Sequence, residues 1–71
     1  MNESRSDKFK RLATQRTNAV LDKLRLLGNL ANKSNYDYSD EDLKKIFSII
    51  ESQMRTTKTK FTGAYINKFE L

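Results

Sequence analysis

Ser39-Asp40-Glu41-Asp42-Leu43-Lys44-Lys45-Ile46-Phe47 is the stretch whose reading decides the fold. Ser39 is a helix N-cap and Asp42 stands at the reciprocal position of a capping box. Asp40 and Glu41 fall in a first turn whose free N–H groups favour carboxylates. Beyond the cap, Leu43, Phe47, Ile50, Met54, Thr57 and Phe61 step by 4, 3, 4, 3 and 4 residues. This is the a/d spacing of a coiled-coil seam, and Ile46 and Ile49 widen the stripe. The spacing predicts a helix over 40–61. Thr62-Gly63 is its expected stop, with Lys58 and Lys60 in the last turn, where cations suit the negative end of the helix dipole.

Working towards the N-terminus, residues 33–39 (Lys-Ser-Asn-Tyr-Asp-Tyr-Ser) are turn chemistry, because Asn, Asp and Ser side chains satisfy local backbone groups in place of helical bonds. The chain is expected to reverse there. A first helix is predicted over 7–32, opened weakly by Ser4 with Asp7 three residues on. Phe9, Ala13, Arg16, Val20, Leu24, Leu27 and Ala31 form one stripe, and Leu12, Ala19, Leu26 and Leu30 form its neighbour. Gly28-Asn29 interrupts the pattern, either as a left-handed cap or as a tolerated weak point costing about 1 kcal/mol relative to alanine.

The fold expected is therefore all-α: an antiparallel helical hairpin at 7–61, preceded by a flexible 1–6 and followed by a tail at 62–71 that docks on the hairpin or on a partner. Two helices cover one face of each other only, and Leu24, Leu26, Leu27 and Leu30 cannot all face one neighbour. Small scaffolds without disulfides or metals commonly bury such a surplus by oligomerising. Dimerisation into a four-helix bundle is expected, through Val20, Leu24, Leu27, Leu43, Phe47, Ile50 and Met54.

Composition narrows the function. The 71 residues include no Cys, His, Trp or Pro, which argues against a disulfide scaffold, thiol chemistry, His-based metal sites and the commonest general base. Two glycines leave no Gly-rich phosphate loop. No catalytic residue, metal site or cofactor is expected. The acidic run at Asp37 to Asp42 fails the EF-hand pattern, whose twelfth position here is Ser48, and helix capping explains it better. No apolar run is long enough to span a membrane, and the opening MNESRSDKFK lacks the apolar core of a secretory signal, so a cytoplasmic protein is expected.

Charge points to acidic partners. Lys and Arg number 14 against 9 Asp and Glu, a net +5. Two basic arms flank the acidic turn, and in an antiparallel hairpin they would share one end. Arg5, Lys8, Lys10, Arg11 and Arg16 with Arg55, Lys58 and Lys60 then form a patch for the phosphates of DNA or RNA. The plainer reading is a solvated basic face, and no reader motif accompanies the charge, so phosphate contacts are expected rather than base contacts. Arg16 falls on the apolar stripe. It either pairs with Glu51 or Asp22, or packs its stem while its head reaches water. Asn29, Asn32 and Asn35 with Tyr36 and Tyr38 could stack on a ligand or bases, although an elaborate interhelical turn accounts for them more simply.

Residues 26–47, Leu-Leu-Gly-Asn-Leu-Ala-Asn-Lys-Ser-Asn-Tyr-Asp-Tyr-Ser-Asp-Glu-Asp-Leu-Lys-Lys-Ile-Phe, with Lys60-Phe61 after them, resemble a group of small helical proteins encoded in bacteria and their plasmids, integrative elements and phages. The likeness covers roughly 16–61. It implies a bacterial or mobile-element origin and a compact helical unit, and it carries no activity or binding residue with it. Two functions fit these observations. One is a non-catalytic accessory or regulatory protein on nucleic-acid backbones. The other is an adaptor or inhibitor that offers a protein partner an apolar helical groove or the tail.

Overall fold

A computed structural model of the chain describes residues 2–63. The chain is all-α, with α1 at Arg5–Gly28, a single 3-10 turn at Asn29–Ala31 and α2 at Asp40–Thr62. Two helices joined through a turn are consistent with the expected helical hairpin. The chain divides into two units, Met1–Asp37 built on α1 and Tyr38–Leu71 built on α2. The tail from Ala64 onward lies outside the described residues.

The ends of both helices are set by short polar side chains. At α1 the Ser4 hydroxyl accepts from the Asp7 N–H at 2.9 Å, so the helix starts at Arg5, two residues ahead of the expected position. At α2 the capping box is complete. Ser39 Oγ accepts from the Asp42 N–H at 3.0 Å, and Asp42 Oδ2 accepts from the Ser39 N–H at 3.0 Å, satisfying donors that a helix start leaves open.

Gly28 resolves to the second of its two readings. Its φ is −63° and its ψ −25°, ordinary helix, and the 3-10 turn carries the chain past it to Asn32. Asn32 then stops the helix by organising the turn. Its carbonyl accepts the N–H groups of Asn35 and Tyr36 at 3.1 and 3.0 Å, and its side-chain oxygen accepts the Ser34 N–H at 3.0 Å. Within this segment Asn32 thus does turn chemistry, bonding Ser34, Asn35 and Tyr36. Gly63 closes α2 with φ +78°, where L side chains are disfavoured.

No described residue is buried. Leu12, Ala13 and Leu27 on α1, and Leu43, Ile46 and Ile50 on α2, are half-buried, whereas Phe9, Val20, Leu24, Phe47 and Met54 are exposed. The helices are 24 and 23 residues long, about 36 and 34 Å at 1.5 Å per residue.

Two glycine substitutions should move stability in opposite directions. Gly28→Ala meets nothing within 4 Å of its new Cβ and should raise the melting midpoint followed by far-ultraviolet circular dichroism, with a gain of up to about 1 kcal/mol. Gly63→Ala should lower it, because its φ remains in the left-handed region. Ser39→Ala, which removes half of the capping box, should cost about 1 kcal/mol in the same melt.

Candidate nucleic-acid interface

The basic residues named from the sequence fall in two places, the first half of α1 and the last turns of α2, and all of them are exposed. On α1 the 100° rotation per residue sorts them. Lys8 is three residues from Arg5 and shares its side, and Arg16, eleven residues on, returns to it. Lys10 follows Lys8 by two residues and therefore points away from that side.

Arg11 is already engaged. Its Nε donates to Glu3 Oε2 at 2.8 Å and its Nη2 to Glu3 Oε1 at 3.1 Å, a bidentate pair between exposed side chains. The Glu3 carboxylate raises the guanidinium pKa above its ordinary value, with slight desolvation opposing, so Arg11 stays charged while its fork is occupied. Arg16 is exposed, and Asp22, one of its two expected partners, pairs with Arg25 instead. Arg16 is thus a solvent-reaching cation at the margin of the apolar stripe.

A cation that the sequence reasoning passed over belongs on this edge. Lys23 lies seven residues after Arg16 and eighteen after Arg5, five full turns from Arg5, and so on the same side. The signal is the seven- and eleven-residue spacing, which is less conspicuous than the clustered N-terminal charges. Arg5, Lys8, Arg16 and Lys23 make an edge of about 27 Å along α1.

On α2, Arg55 and Lys58 are neighbours at i and i+3, while Lys60 turns away by two positions. Lys44, eleven residues before Arg55, was also passed over and shares their side. Glu51 stands between them, four residues before Arg55, within reach as an i, i+4 pair. The remaining acidic residues of α2, Asp40, Glu41 and Asp42, sit in its first turn. Among the described residues no group of three or more acidic side chains is placed to hold a metal ion, and no helix is long and apolar enough to cross a membrane.

Comparisons with family models, with curated proteins and with solved structures return no match to this chain.

The Glu3–Arg11 pair yields a test that does not require a ligand. In Glu3→Gln the helix should melt close to the parent, since exposed pairs contribute little. The Arg11 Nε–H, followed by nuclear magnetic resonance, should exchange faster with water. Unchanged exchange would show that the guanidinium was not held by Glu3.

Proposed function

We propose that the protein is a non-catalytic accessory or regulatory protein, carried by a bacterial mobile element and working in the cytoplasm as a homodimer, that binds the phosphate backbone of DNA or RNA. The observation that carries the binding is the α1 edge. Arg5, Lys8, Arg16 and Lys23 are exposed on one side of one helix, and the acidic residues closest to it in the chain are largely engaged elsewhere. Glu3 is committed to Arg11 and Asp22 to Arg25, and Asp7, two residues after Arg5, lies on another side of the helix. Cations strung along one side of a rod suit a line of phosphates, and they carry no information about base sequence. The bacterial and mobile-element origin rests on the resemblance of residues 26–47, and the homodimer on apolar stripes wider than one helix contact can hide.

The exposure of Val20 and Leu26 on α1 and of Ile49 on α2 supports a second reading, an adaptor that lays an apolar helix face against a protein partner. The two separate by salt. Four phosphate contacts make affinity for a DNA or RNA duplex fall about 150-fold between roughly 50 and 200 mM salt. Lys8→Ala should lower the slope of log affinity against log salt by about 1, and Lys10→Ala should change it much less. Indifference to both duplexes at low salt would discard the phosphate function and leave the adaptor.

A further inference from the structure

The a/d row of α2 has a feature that a helix covered by an unrelated surface would not need. Leu43 and Phe61 stand nine residues either side of Ser52, Phe47 and Thr57 five, and Ile50 and Met54 two. Laid antiparallel on a second α2, the row forms layers of Leu43 on Phe61, Phe47 on Thr57 and Ile50 on Met54, each large side chain meeting a smaller or complementary one. A parallel pair would stack Phe47 on Phe47 and Thr57 on Thr57, one layer overfilled and one hollow. Thr57 tolerates the seam because its hydroxyl already donates to the Gln53 carbonyl at 2.8 Å, so covering it leaves no donor unmade. Phe47 and Met54 are 46% and 55% exposed, which leaves the centre of the row open to be covered.

Charge selects the same direction. Asp40, Glu41 and Asp42 crowd the start of α2, and Arg55, Lys58 and Lys60 its end. Parallel pairing would bring the two acidic starts together and the two basic ends together. Antiparallel pairing sets each acidic start beside a basic end, with Asp42 and Lys60 of the second copy on one flank. On the other flank Lys44 faces Lys58 of the second copy, and the two Glu51 side chains meet at the axis beside both Arg55. That flank then carries six cations against four carboxylates, the two Glu51 at the axis and one Glu41 at each end, a net cationic face that neither copy has alone.

We propose that α2 pairs antiparallel with α2 of a second copy about a two-fold axis at Ser52, and that the pairing assembles a cationic face from Lys44, Arg55 and Lys58 of both copies for a nucleic-acid backbone. The proposal rests on the homodimer and phosphate-binding functions above and fixes the orientation and register of the one and the partner surface of the other. The like-charged Lys44 and Lys58 side chains weaken the dimer, and a bound polyanion relieves them.

The full chain has no cysteine, so Glu41→Cys carries a single spin label. Antiparallel pairing sets position 41 opposite residue 63 of the second copy, an axial separation of about 33 Å; parallel pairing brings the labels side by side. Met54→Lys should return the protein to monomer by light scattering. Lys58→Glu turns a repulsion into an attraction, so the dimer should tighten severalfold while affinity for a short DNA duplex at low salt falls severalfold. Labels side by side, a dimer unmoved by Met54→Lys, or a dimer loosened by Lys58→Glu overturns the antiparallel pairing while the homodimer stands. A lone chain at every concentration overturns both. A dimer with the expected label separation whose duplex affinity is unmoved by Lys58→Glu overturns the cationic face.

Discussion

Apolar side chains on two long helices with none of them enclosed is the constraint on which everything else depends. Helix propensity and capping make α1 and α2 locally favourable, but most helical stability in proteins comes from covering an apolar face. Each leucine or isoleucine side chain moved fully out of water is worth about 1.5 to 3 kcal/mol. No described residue is buried, so that contribution is still to be collected. A second copy of the chain is the source we propose, and it also explains why the α2 row is balanced in size around its own midpoint.

The polar residues divide into those that serve the helices and those left for a partner. Ser4, Ser39 and Asp42 are used by backbone N–H groups, and Asn32 by the turn. Thr14, Thr57, Thr59 and Thr62 donate to carbonyls one turn back. Glu3 and Asp22 neutralise Arg11 and Arg25. After these are set aside, Arg5, Lys8, Arg16 and Lys23 remain as a row of cations on one side of α1, with Asp7 and Lys10 on other sides. The proposed binding follows from what is left after local bonding, which is a stricter criterion than a net charge of +5.

The all-α class was legible because Ser39 and Asp42 stand three apart before a seam that never breaks its 4-3 rhythm, so local chemistry and periodicity agreed. Gly28 was not legible, since glycine adopts helical and left-handed backbone with similar ease and only the observed φ separates the two. The engagement of Arg11 escaped for another reason. Glu3 lies ahead of the helix, where no periodicity applies, and reaches back over eight residues. Lys23 and Lys44 are legible in spacings of seven and eleven, a weaker signal than clustered charge because it shows only once the helix rotation is applied. What covers an apolar stripe is the part that periodicity cannot supply, because spacing defines a face and not its neighbour.

The most direct measurement is helicity by circular dichroism together with mass by sedimentation, both followed on the full chain through a wide dilution series. If the apolar faces are covered by another copy, helicity and mass fall together as the protein is diluted. A chain that remains a single particle and keeps its full helicity and sharp melting at the lowest concentration would contradict the account.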